Sequence, residues 1–327
     1  MLPLGKLRSD VLNEILERLE INDGKVVIGP REGFDSAVLE YDEEHYLVVA
    51  TDPVLGVPEE HFGFFTYHFA SSDVSVFGTR PRWLVVDILL PEGSRREELA
   101  AIMGELNAEC AKYGTSVVGG HTGVYRTLRA PTATTTAMGI VRREELRLPV
   151  AKPGDEIVIT KGVGIEFAVG AAWFDAEGLK KHLSPGEIAQ LREMYRLETV
   201  VSDALVAAPF VRGMHDATEG GLTALHEIAD NSNLGFEVDM GKVYIPPLVD
   251  RALGAYGVNP LTVSSTGTLI AIVPPSKAEV LVRALGERGI PAFRIGRFTE
   301  DKGRLLKNGE GWEEFPRFEG DAYAGLY

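Results

Sequence analysis

Three aspartates stand where a carboxylate does more than solvate a surface. Asp35 sits at the lip of a glycine-rich loop, Gly29-Pro30-Arg31-Glu32-Gly33-Phe34-Asp35-Ser36-Ala37-Val38. Asp52 ends the apolar run Leu47-Val48-Val49 and precedes Pro53. Asp73 lies in a stretch otherwise dominated by Phe65, Phe69, Val74, Val76 and Phe77. An acid buried among such neighbours without a counter-charge costs several kcal/mol. A divalent cation removes that cost. Magnesium takes only one or two carboxylates and leaves its other positions to phosphate oxygens and water. The chemistry these acids suit together is capture of a magnesium nucleotide. Asp35 and Asp52 suit turn formation equally well, so Asp73 carries most of the expectation.

Two further segments join glycines to polar residues. Val117-Val118-Gly119-Gly120-His121-Thr122 reads as a strand ending in a glycine pair. A lone histidine such as His121 is more commonly structural than a ligand. In the second half, Met214-His215-Asp216-Ala217-Thr218-Glu219-Gly220-Gly221-Leu222 opens a helix expected to run through His226 to Asn231. Thr218 reads as its N-cap, and Gly220 and Gly221 leave the first backbone N–H groups open to an anion. Asp216 is suited to hold a second cation or to orient a nucleophile. The plainer reading is a capped helix with a tight turn, which two glycines at about 1 kcal/mol each disfavour modestly. The hydroxyl-rich turn Ser264-Ser265-Thr266-Gly267-Thr268 is a candidate neighbour. No P-loop pattern occurs. Gly162-Val163-Gly164 lacks the third glycine of a dinucleotide fingerprint, Phe167 standing in its place.

Positioning these groups requires alternating strands and helices. Ser9 caps a first helix bearing Val11, Leu12, Ile15, Leu16 and Leu19. Strands follow at 25–28, 37–40 and 46–51, then a helix over 59–77 and a strand over 83–90. Ser94 and Glu97 spell a capping box for a helix to about Lys112. Its face carries Leu99, Met103, Leu106, Cys110 and Tyr113, which reads Cys110 as core. Strands are expected at 115–118 and 132–141. Pro149, Pro153 and Gly154 mark a boundary, dividing the chain into domains 1–148 and 149–327. Beyond it come strands at 156–160, 268–273 and 291–295 among several helices. The tail after Glu300 is charged, glycine-rich and expected to be peripheral.

The 327 residues carry a net charge of −15, which argues against nucleic acid as a partner. No apolar run approaches the roughly 20 residues that span a bilayer, so no membrane role is expected, and the first ten residues lack the apolar core of a signal peptide. One cysteine excludes an internal disulfide framework. The cytoplasm is the expected location.

Taken in order, the segments resemble the AIR synthase (PurM) superfamily, which includes AIR synthase, FGAM synthetase, thiamine-monophosphate kinase, selenophosphate synthetase and the hydrogenase maturation factor HypE. Gly33-Phe34-Asp35-Ser36-Ala37-Val38 resembles its G-x-D-x-A-V, Thr51-Asp52-Pro53 its T-D strand end, and Ser72-Asp73-Val74-Ser75-Val76-Phe77-Gly78 its N-D-V/I-A-x-x-G helix. Gly119-Gly120-His121-Thr122 resembles G-G-x-T/S, and the segment from Met214 to Leu222 resembles D-x-T-x-G-G-L as HypE carries it. Gly257-Val258-Asn259-Pro260-Leu261 is similar to the HypE sequence G-I-D-P-L.

This resemblance implies an α/β (α+β), PurM-like two-domain fold. It also implies a homodimer whose N-terminal domains pair edge strands into a shared barrel, and 132–141 is the stretch expected to be shared. ATP would be held through Mg2+ by acids matching Asp35, Asp52 and Asp73. Gly33, Asp35, Gly119, Gly120, Thr122, Thr218, Gly220 and Gly221 would surround the nucleotide and substrate, with Asp216 and His121 the candidate catalytic groups. The implied activity is ATP-dependent phosphoryl activation of an amide, acyl or phosphate oxygen on a small substrate, with other maturation proteins as partners. A thiamine-monophosphate-kinase-like phosphotransferase and a non-catalytic nucleotide-binding partner are the alternatives. Three departures bear on the choice. HypE works on its own C-terminal cysteine, whereas this sequence ends Ala324-Gly325-Leu326-Tyr327. Thr266 stands where HypE has an acid before glycine, and His121 where it has the aspartate of G-D-T.

Overall fold

The computed structural model describes residues 5, 7, 9–16, 18–318, 320 and 322–326. It separates into two compact units, one of residues 21–30 and 35–146, the other of 1–20, 31–34 and 147–327. They are called here the N-terminal and C-terminal units. Helix α1 (Ser9–Leu16) groups with the C-terminal unit.

In the N-terminal unit the chain runs β1 (Val26–Ile28), β2 (Ala37–Glu40), β3 (His45–Val54), α2 (Phe62–Val76), β4 (Trp83–Pro91), α3 (Arg96–Tyr113), β5 (Ser116–Tyr125) and β6 (Thr132–Arg142). The strands form one open sheet in the order β1-β2-β3-β6-β4-β5. Helix α2 is apolar on nearly every side, and it is buried accordingly, packed on β3 and β6 with α3 against it. The α3 N-terminus forms one residue later than the Ser94/Glu97 pairing predicts, because Glu98 takes the backbone N–H of Arg95. Its buried face is Ile102, Leu106 and Cys110, while Met103 is exposed.

Two strand expectations are corrected. The β-branched stretch 132–141 is not an edge: β6 is hydrogen-bonded to β3 on one side and β4 on the other. Its alternation puts Ala133, Thr135, Ala137 and Val141 beneath α2 and leaves the intervening threonines on the opposite face. Nor does the fifth strand stop at the glycines. β5 continues through Gly119 and Gly120 to Tyr125, parallel to β4, and forms the edge.

The C-terminal unit continues β7 (Glu156–Thr160), α4 (Ile165–Phe174), α5 (Ala176–Leu179), α6 (Pro185–Glu193), α7 (Val201–Ala207), β8 (Gly213–Asp216), α8 (Ala224–Ser232), β9 (Gly235–Asp239), α9 (Pro247–Tyr256), β10 (Leu269–Val273), α10 (Ala278–Gly286), β11 (Ala292–Thr299), β12 (Arg304–Asn308) and β13 (Gly311–Glu314). Its sheet has the order β13-β12-β9-β11-β7-β10-β8, antiparallel except where β12 meets β9. Ile157, Ile159, Phe236, Ile270, Ile272 and Phe298 fill its core. The tail is more integral than its composition suggests, since β12 and β13 extend the sheet and Leu306 and Phe315 are buried in the core. Among the described residues no helix is long and apolar enough to cross a membrane.

Candidate functional site

In the N-terminal unit, strand register sets two of the three aspartates. β2 pairs antiparallel with β3 so that Ala37 faces Val49. Asp35, two residues before Ala37, and Asp52, three after Val49, therefore stand at the same end of this hairpin. Asp52 shares the strand face of Val48, Ala50 and Val54, which are buried where β3 packs on α2. The third acid, Asp73, lies on α2 and is 7% exposed. Two hydroxyls tie that helix to the sheet. The buried Ser36 hydroxyl donates to the Asp73 carbonyl oxygen at 3.0 Å. Thr135, which faces Asp52 across the β3–β6 ladder, donates to the Thr66 carbonyl oxygen at 2.7 Å. Asp35, next to Ser36 and itself exposed, is thereby brought to the turn of α2 that carries Asp73.

Gly119, Gly120, His121 and Thr122 lie elsewhere on this sheet. They are exposed on β5, with β6 and β4 between them and β3. At about 4.8 Å per strand that is roughly 14 Å from Asp52, so the chain does not bring these four residues to the acids. The requirement for glycine at position 120 is structural: φ is +143°, and a Cβ would lie 1.9 Å from the Val86 carbonyl oxygen. An extra residue on β5 next to this point breaks the register with β4. His121 Nε2 is 2.7 Å from the Tyr125 hydroxyl. Its ladder neighbour is Asp87, an exposed acid in the middle of β4 that sequence reasoning passed over as one polar residue in an apolar strand.

In the C-terminal unit the loop from Asp216 to Gly221 follows β8, where His215 and Asp216 are both buried. The hydroxyl-rich turn is its neighbour: Ser265 N–H donates to the Thr218 carbonyl oxygen at 3.2 Å, and Ala217 N–H to that of Thr268 at 2.9 Å. Thr218 does not cap the helix. A short turn over Gly221–Thr223 intervenes, α8 starts at Ala224, and Thr218 contributes its carbonyl to Gly221 N–H as well. The reason is Gly220 and Gly221, both in the left-handed region, which reverse the chain before the helix begins. Gly33, in the 31–34 segment of this unit, lies against Glu227 and Asn231, and the Asn231 side chain donates to the Glu32 carbonyl oxygen at 3.2 Å. Glu227 Oε2 is 3.5 Å from His215 Nε2, and His215 Nδ1 is 2.7 Å from the Asp216 carbonyl oxygen. Gly33 and Asp216 are thus linked through His215 and Glu227, two residues without a role in the sequence reading. The one signal for His215 was its place in the motif beside Asp216.

Residues 33–141 match the N-terminal domain, and 152–307 the C-terminal domain, of AIR synthase related proteins. A carbamoyl dehydratase HypE from Cupriavidus necator is 31% identical over 284 residues, covering 83% of this chain and 78% of that one. The chain belongs to the AIR synthase-related family. It is HypE-like within it. Among solved structures, a HypE–HypF complex matches with a TM-score of 0.74 at 18% identity, covering 95% of this chain and 100% of that chain. HypE in complex with ATP matches at 0.67 and 21%, covering 95% and 91%. ThiL complexed with AMPPCP and TMP matches at 0.71 and 18%, covering 94% and 95%. These three likenesses are of fold.

Proposed function

We propose that this HypE-like chain is an ATP-dependent enzyme that uses Mg2+ to activate an amide, acyl or phosphate oxygen of a small substrate by phosphoryl transfer. The observation that carries the reading is the Ser36–Asp73 tie: with the β2–β3 register, it gathers Asp35, Asp52 and Asp73 at one end of a sheet–helix layer. Three carboxylates, one buried and one exposed, suit a hard cation that keeps some of its own water. They would hold Mg2+, which supplies charge neutralisation at the phosphates. A matched relative named as a hydrogenase expression/formation protein supports a role in hydrogenase maturation, and a HypF-like protein is the partner class that one fold neighbour, the HypE–HypF complex, suggests. The location proposed is the cytoplasm. The test is ATP consumption across small amides, carboxylates and phosphate esters, followed by product analysis. ADP with free phosphate and a dehydrated or ligated product supports activation. The absence of turnover with every substrate overturns it in favour of a nucleotide-binding partner.

One observation favours a second reading, phosphoryl transfer to a stable acceptor as in a small-molecule kinase. The sole cysteine of the 327 residues, Cys110, is buried on α3, and burial pushes its thiol up to about 11. A thiol held protonated and covered is a poor acceptor. Incubation with a carbamoyl donor system and ATP is expected to leave the chain mass unchanged, with Cys110 alkylating slowly until the protein unfolds. A thiocyanate adduct that disappears in Cys110→Ser would overturn this.

The homodimer is proposed to form along β5 rather than 132–141. Val117, Val118 and Val124 are exposed on this edge, Val118 at 58%, and an uncapped apolar edge strand invites pairing. Light scattering should give twice the 35.6 kDa chain mass. Val118→Lys should shift the protein to monomer with the fold intact. A monomeric wild type at micromolar concentration would refute the dimer.

A further inference from the structure

Two helices of the C-terminal unit, α4 and α9, end against one cavity of 450 Å3. Its walls are Phe167 and Phe174 of α4, Asp175 just beyond them, Tyr256 at the end of α9, Val258, and Leu326 of the tail. Tyr323, buried against Gly170 of α4, holds that stretch of the tail in place. Among the described residues no lysine or arginine lines the cavity.

The charge of this place is negative from three sources. A helix C-terminus carries about half a negative charge, and α4 and α9 both bring theirs here with no basic residue in the last turn. The third source is Asp175. Its Oδ1 accepts the Gly178 N–H at 3.0 Å, which caps α5, and its Oδ2 accepts the Tyr256 hydroxyl at 2.8 Å. Burial first, and the hydrogen bond to Asp175 second, hold the Tyr256 phenol above its ordinary range, so it stays a donor. Each carboxylate oxygen keeps a further lone pair for a ligand. Phe167 packs edge-on to Tyr256 with ring centroids 5.4 Å apart. Aromatic rings beside such a negative field attract a cation through their quadrupoles.

We propose that this cavity binds an organic ammonium ion, a protonated amine carried on an apolar body. The ammonium group would donate to Asp175 near the two helix ends, while the body packs on Phe167, Phe174 and Leu326. A metal ion suits the cavity poorly. Magnesium or calcium asks for about six or more oxygen ligands, and one carboxylate in an aromatic and aliphatic wall supplies few. The site shares no residue with Asp35, Asp52, Asp73 or the loop from Asp216 to Gly221, so it stands or falls apart from the nucleotide reading.

The test is titration calorimetry of the full chain with three probes of similar shape: phenethylammonium, phenethyl alcohol and phenylacetate. Phenethylammonium is expected to bind one per chain, about 10-fold or more tightly than the alcohol, and phenylacetate not to bind. Asp175→Asn keeps an oxygen for the Gly178 N–H and removes the charge. It should weaken the ammonium about 10-fold and leave the alcohol unaffected. The proposal is overturned by no ammonium binding up to about 10 mM, by alcohol or phenylacetate binding as tightly, or by full ammonium affinity in Asp175→Asn. Should that variant unfold, Phe174→Ala decides, since Phe174 is 37% exposed at the end of α4. A loss of about 3-fold or more in ammonium affinity supports the site, and unchanged affinity overturns it.

Discussion

Asp73→Asn should lower ATP affinity by about 100-fold or more in the presence of magnesium, equivalent to nearly 3 kcal/mol. Asp73 is the most enclosed of the three acids and sits on a helix fixed to the sheet by Ser36 and Thr135. A carboxylate held this way has little orientational freedom to lose when a cation binds, so its charge acts at full strength in a poorly solvated place. The amide keeps the shape and removes only the charge, which isolates the electrostatic part. Asp35→Asn should cost less because Asp35 is exposed and water screens it, and Asp52→Asn should fall between. Calorimetric titration of ATP into each variant, with magnesium and then with chelator, is the measurement. Chelator alone should weaken wild-type binding as much as Asp73→Asn does. Wild-type affinity in the variant, or binding indifferent to chelator, would remove the metal from the proposed function.

The second large effect concerns Gly221. Read from sequence, Gly221→Ala is a mild change at a helix start. The structure reverses that expectation: φ is +56°, and a Cβ would lie 2.5 Å from the Val263 carbonyl oxygen. The strain of a left-handed alanine adds to a contact with rigid backbone, so the loss should be about 2–4 kcal/mol. Gly104→Ala is the control, since Gly104 lies in α3 with open space around its Cα and should gain up to about 1 kcal/mol. Denaturant unfolding of both variants reads the contrast directly. Equal stability of Gly221→Ala and wild type would show that the turn relaxes freely. Asp216→Asn, not Gly221→Ala, is then the proper probe of catalysis by this loop, because it leaves the turn intact.

Secondary structure was legible wherever apolar periodicity was strong. β2 was read to the residue, and α2 to within a few, because long apolar runs leave little choice. Strand order was not legible. The threonine-rich 132–141 looks like an exposed edge, yet each outward threonine alternates with a small residue that lets α2 sit close to the sheet. β5 was cut short because paired glycines normally punctuate, whereas here Gly120 accommodates a close approach of β4 within the ladder. Thr218 failed as a cap for a related reason, as the two left-handed glycines after it reverse the chain first. At the site, the aspartates were visible as acids in improbable surroundings. His215 and Glu227 were not, since their significance arises from contacts with residues distant in sequence.

The brief passage of residues 31–34 into the C-terminal unit has a consequence for biosynthesis. Its hydrogen bond from Asn231 to Glu32 joins residues 199 apart in the chain. At roughly 5–20 residues per second, a ribosome delivers Asn231 some 10–40 s after Glu32 has emerged. The glycine-rich segment therefore waits, unanchored, while β2 and β3 on its C-terminal side have already had time to pair. Nascent chains stalled before α8 should be cleaved readily by protease at Arg31, and chains released after Ser232 should resist.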